Sequence, residues 1–145
     1  MLDSSQDRRK QQAEAIAELI EQLSRALMHR SYARQMNPAQ WAALRYLAHA
    51  NESARQIGAF ASFHRTTPSS ASQTVGALVN KGMILKISAA DGRRRTLEIT
   101  KKGRQLLHHD PVKDLLSTIR SLPDAKLAIL AEIMQGLVQG TFANR

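Results

Sequence analysis

Residues 67–100 read TPSSASQTVGALVNKGMILKISAADGRRRTLEIT, and the change of period inside this stretch decides the fold. Thr67 is placed to cap a helix, because its hydroxyl can accept a free backbone N–H, and Pro68 fits the first turn. Ala71, Val75, Leu78 and Val79 then recur at helical spacing and predict the buried side. Lys81-Gly82 ends the helix with a cation at its negative pole and a residue that tolerates left-handed backbone. The period next drops to two. Met83–Ile87 and Thr96–Thr100 are short and β-prone, and Asp91-Gly92 between them is a turn signal. The expectation is a helix running into a hairpin whose tip carries Arg93, Arg94 and Arg95.

Upstream, Asn37-Pro38-Ala39-Gln40 has the residues of a helix start, with Gln40 where a capping-box partner stands. Trp41, Leu44, Leu47 and Ala48 then point inward. Asn51-Glu52-Ser53 breaks that pattern, and Ser53 is expected to cap a short helix with Ile57, Phe60, Ala61 and His64 on one face. Arg65-Thr66-Thr67 is the turn into the next helix. Two short helices joined by a tight turn and followed by a ribbon make a winged helix-turn-helix. Further out, Ala13, Ile16, Ile20, Leu23 and Leu27 form one apolar stripe on a helix over 9–30. Helical sequence returns at Lys101. Asp110-Pro111 is expected to cap a restart with Val112, Leu115, Leu116 and Ile119 apolar. Leu122-Pro123-Asp124 breaks again before a last helix with Leu127, Leu130, Ala131, Met134, Leu137 and Val138. The fold class is therefore mainly α with a small β-hairpin: one domain over 1–145, with a winged-helix lobe at 37–104 flanked by dimerisation helices at 9–31 and 105–140.

Composition narrows the function. The chain has 145 residues and no cysteine, which removes disulfides, thiolate catalysis and Cys-ligated zinc. The formal net charge is +9, and it is uneven. Residues 1–30 and 105–145 are each neutral, 31–80 carry +3 and 81–104 carry +6. A cationic middle between neutral helices suits a polyanion-binding module. No apolar run is long enough to cross a bilayer, and the polar start at Met1–Lys10 has no signal-peptide core, so a soluble, cytoplasmic protein is expected. No GxSxG, Walker or GxGxxG motif is present, and only Glu52, Asp91 and Glu98 supply carboxylates to the basic middle, so no enzyme and no cofactor are expected. His108 and His109 are adjacent and point about 100° apart on a helix, and no HxxxH spacing occurs, so no metal site is expected. His64 on an apolar face reads as a core or capping histidine.

A helix that enters the major groove must be slim and polar on its outer side. With Ala71, Val75 and Leu78 inward, the outward residues are Ser69, Gln73, Gly76, Ala77 and Asn80, with Ser70 and Ser72 on the flanks. Hydroxyls and amides can both donate to and accept from base edges, and Gln matches adenine best. The helix N-terminus with Thr67 can meet a phosphate. Taken alone, the helix is better explained as an ordinary solvated Ser-rich face. Three arginines on a ribbon directly after it do not belong in a core and favour phosphate or minor-groove contact. Asp91 is expected to pair with the Arg93 guanidinium and set its angle. Lys81, Lys86, Lys101, Lys102 and Arg104 are candidate phosphate contacts. Met28, His29, Tyr32, Trp41 and Tyr46 are candidate lining residues for a ligand pocket, though each also reads as core or interface.

The stretch Asn37–Leu47 resembles the start of the second helix of the MarR family of transcriptional regulators. Ser72-Gln73-Thr74-Val75 with Leu78 and Lys81-Gly82-Met83-Ile84 resembles its recognition helix and exit. Asp91-Gly92-Arg93 and Leu97-Glu98-Ile99-Thr100-Lys101-Lys102-Gly103 resemble its Asp-x-Arg wing and the Leu-Thr-x-x-Gly start of the next helix. The resemblance covers about residues 10–140. It implies an obligate homodimer built on the first and last two helices, a pseudopalindromic duplex site, Arg93 in the minor groove, repression of transcription, and release by a small-molecule effector. Gly103 lacks the usual preceding Pro or Glu. Pro68-Ser69-Ser70 replaces a basic or Gly-Thr start, so the family's base preferences do not carry over. The surplus of apolar residues on the outer helices agrees with pairing of two copies. The alternative is a winged-helix interaction module whose basic face binds an acidic protein partner.

Overall fold

The computed structural model describes residues 2–88 and 90–143, without the side chains of Leu2 and Asp3; Met1 and the wing residue Ala89 of the sequence reading lie outside the described residues. Seven α-helices and one hairpin follow in the order α1 (Leu2–Ser31), α2 (Pro38–His49), α3 (Ile57–Phe63), α4 (Pro68–Asn80), β1 (Ile84–Ser88), β2 (Arg95–Ile99), α5 (Lys101–Leu106), α6 (Lys113–Arg120) and α7 (Asp124–Phe142), with short 3-10 turns at Glu52–Ala54 and Leu107–His109. The chain divides into two compact units, 1–111 and 112–145.

The first unit is built on local signals that the side chains satisfy. Asn37 caps α2 through a full capping box: its Oδ1 accepts from the Gln40 backbone at 2.9 Å, and the Gln40 side chain accepts from the Asn37 backbone at 3.3 Å. Thr67 caps α4 by accepting from the Ser70 backbone at 3.1 Å, with Pro68 in the first turn. Thr67→Ala is expected to lower stability by about 1 kcal/mol, read as a shifted midpoint in urea. Gly82 ends the helix at φ +73°. Strands β1 and β2 pair antiparallel with Ile84 opposite Ile99 and Ser88 opposite Arg95. The Leu97 N–H also donates to the Arg55 carbonyl at 2.7 Å, which ties the hairpin to the segment before α3.

One core holds these elements together. Trp41, Leu44, Leu47, Val75, Leu78, Ile84 and Leu97 are fully buried, three from α2, two from α4 and one from each strand. Leu106 and Leu107 pack against the same cluster. The segment after 104 therefore starts as part of the lobe, where the sequence assigned it to a flanking helix.

Three local expectations are corrected. The first helix starts near residue 2 rather than 9. Ser53 caps nothing: Asn51 caps the 3-10 turn, and Ser53 donates to the Asn51 side chain at 2.8 Å, while α3 begins at Gln56 without a side-chain cap. Asp110 does not cap α6, which starts at Val112 with no side-chain cap. Asp110 instead lies nearly buried with Oδ2 3.2 Å from Arg45 Nε.

The second unit is α6 and α7. Leu127, Ile129, Ile133, Met134, Leu137, Val138 and Phe142 of α7 are all exposed, as are Ile16, Leu19, Ile20, Leu23 and Met28 of α1 in the first unit. Among the described residues no helix is long and apolar enough to cross a membrane.

Candidate nucleic-acid interface

The site is assembled from α4 and the hairpin that follows it. Ala71, Val75 and Leu78 anchor the inner side of α4 in the core. Ser69, Ser70, Ser72, Gln73 and Asn80 are exposed, and Gly76 and Ala77 are half-buried. Ser69, Ser72 and Gln73 make no side-chain hydrogen bond among the described residues, so their donors and acceptors are free for another molecule. Thr67 and Ser70 are committed to each other, Thr67 Oγ1 donating to Ser70 Oγ at 3.0 Å.

Arg93, Arg94 and Arg95 are exposed on the wing. Asp91 does not pair with the Arg93 guanidinium. Its carboxylate accepts from the Arg93 backbone N–H at 3.0 Å, an Asx-type turn beside Gly92 at φ +67°. The aspartate therefore shapes the tip and leaves the guanidinium free, which serves a polyanion better than a paired one. Lys86 is exposed on β1, and Lys101 and Arg104 on α5.

Two lysines of the sequence reading are not free. Lys81 Nζ donates to the Gln35 carbonyl and to Gln40 Oε1, the second bond at 2.9 Å. Lys102 Nζ donates to the Lys81 carbonyl at 2.9 Å. Sequence reading missed an open cleft of about 500 Å³ lined by Asn51, Glu52, Ser53, Gln56, Arg94 and Thr96. Those polar residues meet only because the Arg55–Leu97 bond brings the segment before α3 against β2.

The proposed ligand-lining set is dispersed. Trp41 has no exposed surface, and its indole N–H donates to the Ser31 carbonyl at 2.9 Å, which makes it part of the core. Tyr46 lies in an aromatic cluster, 5.6 Å from Phe60 and 5.1 Å from Phe63 between ring centroids, with its hydroxyl donating to the Ala54 carbonyl at 2.8 Å. Met28, His29 and Tyr32 are exposed along the end of α1 and just past it.

His64 joins that cluster, 4.7 Å from the Phe60 ring. Burial first, and the nearby Arg45 charge as well, hold its imidazole below the ordinary histidine range, against an opposing bond to Phe60. A depressed histidine favours the neutral form in the fold, so the unfolded chain takes up the proton first. Its contribution is present above about pH 6.5 and is lost as pH falls through the lower folded value. Urea midpoints at pH 7.5 and 5.5 are expected to differ, and His64→Phe is expected to shrink the difference.

Residues 34–94 match the model of the MarR family. The match runs from just before α2 to Arg94, short of β2, and takes in α4 and most of the arginine tip. Solved structures share the architecture. A MarR family transcriptional regulator from Silicibacter pomeroyi is similar at 21% identity, with 89% of this chain and 88% of that one covered and a TM-score of 0.66. The transcriptional regulator BldR from Sulfolobus solfataricus is similar at 20% identity, covering 92% and 96%, with a TM-score of 0.65. A variant of S. aureus MepR, bound to an oligodeoxyribonucleotide, is similar at 13% identity, covering 89% and 96%, with a TM-score of 0.60. At these identities the likeness is one of fold. No curated protein matches the sequence.

Proposed function

We propose that the protein is a MarR-family, sequence-specific regulator of transcription that binds duplex DNA as a homodimer, represses, and is released by a small-molecule effector. The observation that carries the reading is the free polar face of α4, with Ser69, Ser72 and Gln73 uncommitted, followed directly by three exposed arginines on the wing. Ser69, Ser70, Ser72 and Gln73 face base edges, and Arg93, Arg94 and Arg95 with Lys86 meet phosphates and the minor groove. The oligonucleotide bound to the structurally similar MepR variant supports the same use of the fold.

Two exposed apolar helices, α1 and α7, support the dimer, because monomers rarely leave such stripes in water. A pair of heads about one helical turn apart fits a pseudopalindromic site. The effector is proposed from the resemblance to the MarR family, with Met28, His29, Tyr32 and Tyr46 as its candidate contacts. A binding protein rather than an enzyme, in the cytoplasm, goes with this reading.

Selection of bound duplexes from a random pool tests it. A two-fold symmetric consensus is the expected result. No retardation of any duplex at low salt would overturn the reading and leave the acidic-partner alternative. Gln73→Ala is expected to relax preference at one base pair per half-site by about 1–3 kcal/mol while leaving the rest of the consensus intact, measured by competition with single-base variants.

A further inference from the structure

Lys81 stands at a junction that the reading of α4 does not use. It is the C-terminal cap residue of α4, with its own N–H donating to the Ala77 and Val79 carbonyls. Its side chain leaves the helix and reaches the linker between α1 and α2. There it donates to the Gln35 backbone carbonyl and, at 2.9 Å, to Gln40 Oε1. Gln40 is the third residue of α2 and is itself buried, with the same Oε1 accepting from the Asn37 backbone. One ammonium thus joins the end of α4, the start of α2 and the linker.

The linker needs such a hold. Arg34 and Gln35 are successive non-glycine residues in left-handed backbone, at φ 58° and 59°. Two such residues in a row persist only where surrounding contacts fix them. Three contacts fix them here. Met36 is buried in the core, the Arg34 guanidinium donates to His109 Nδ1 at 3.0 Å, and the Gln35 carbonyl is taken by Lys81. The far side of the α4 terminus is fixed as well. Lys102 Nζ holds the Lys81 carbonyl at 2.9 Å, and Thr100 Oγ1 donates to the Gly82 carbonyl at 2.7 Å.

We propose that Lys81 is a positioning residue: by clamping the end of α4 to the strained α1–α2 linker it sets the angle at which the recognition helix is offered to DNA, and it does not itself contact phosphate. This rests on the DNA-binding reading above. With two of its three N–H groups held by these oxygens, the ammonium is directed at the linker, and swinging it out to a phosphate would loosen those bonds. The linker would then lose the contact that keeps Gln35 in its left-handed turn.

The test measures affinity for the selected duplex as a function of salt, at a temperature where circular dichroism shows each variant folded. Lys81→Met is expected to bind about tenfold more weakly, as coupled sites do, with the slope of log K against log salt unchanged. Loss of a phosphate contact would instead lower that slope by about 0.9. Lys81→Arg keeps donors for both oxygens and is expected to restore most of the affinity. Glycine accepts positive φ without strain, so Gln35→Gly placed in the Lys81→Met background is expected to recover part of the loss. Amide exchange across 32–37 in the free protein is expected to quicken in Lys81→Met and to be slower again in Lys81→Arg. A reduced salt slope, no gain from Gln35→Gly, or unchanged exchange at 32–37 would each overturn the clamp. If the unaltered protein retards no duplex, the DNA reading fails and the positioning role falls with it. That result is distinct from one in which it binds and Lys81→Met loses slope.

Discussion

Alanine at Arg93, Arg94 and Arg95 together is expected to lower duplex affinity by more than about a hundredfold near 0.1 M salt and to reduce the salt slope by about 2.7 per subunit, about 5.4 for the homodimer, since each neutralised phosphate contributes roughly 0.9. The loss is large because these three side chains are exposed and, among the described residues, none is ion-paired with a carboxylate that must be released first. Asp91 is occupied by the Arg93 backbone, so it does not compete for the guanidinium. The fold is expected to be unaffected, because no arginine of the tip enters the core. Fluorescence anisotropy on the selected duplex at several salt concentrations measures both quantities. The sequence preference is expected to survive in weakened form, because the base-reading groups on α4 are untouched. An unchanged slope would remove the wing from the interface. A lost preference at constant slope would move base readout from α4 to the wing.

What could be read in the sequence follows the range of the interactions. The caps at Asn37 and Thr67 and the glycine at 82 were legible because a cap, its partner and its helix lie within a few residues. The inner side of α4 was legible for the same reason, since period alone places Ala71, Val75 and Leu78. Asp110 was misread, and the partners of Lys81 were not foreseen. Each stands where a local rule offers a role, a cap for the aspartate and a phosphate contact for the lysine. Each is claimed instead by a partner far along the chain, Arg45 in one case and Gln35 with Gln40 in the other. Ser53 shows the limit on a smaller scale. Asn51 and Ser53 both have the chemistry of a cap, and spacing could not say that the amide would take the backbone N–H and the hydroxyl would donate to the amide. Trp41 was offered as ligand-lining because an aromatic near a helix start suits either role. Its indole N–H points to the Ser31 carbonyl, and only the fold could show that.

Gly103→Ala is expected to destabilise the lobe by about 3 kcal/mol, at the upper end of what overpacking costs, and to lower Tm by roughly 10 °C for a chain of this size. A Cβ there would lie 2.5 Å from the Met83 carbonyl oxygen and 2.8 Å from Ile99 Cγ1. The first neighbour is backbone, so no side-chain rotation relieves the clash. The obstructed atoms also belong to a joint. The Thr100 N–H donates to that same Met83 carbonyl at 2.9 Å, and the Gly103 N–H donates to Thr100 Oγ1 at 3.1 Å. Pushing α5 outward would stretch both bonds and separate the end of β2 from the turn between α4 and β1. The recognition helix and the wing meet at that turn. Gly76→Ala makes the contrast that isolates the cause. Its Cβ would meet nothing within 4 Å, and it lies inside α4. Alanine there is expected to raise stability by about 0.5–1 kcal/mol while weakening DNA binding, because the added methyl faces the groove. Thermal denaturation of the two variants beside the unaltered protein checks the opposite signs. If Gly103→Ala melts with the unaltered protein, α5 has room to move and the joint at Met83 is looser than its geometry requires.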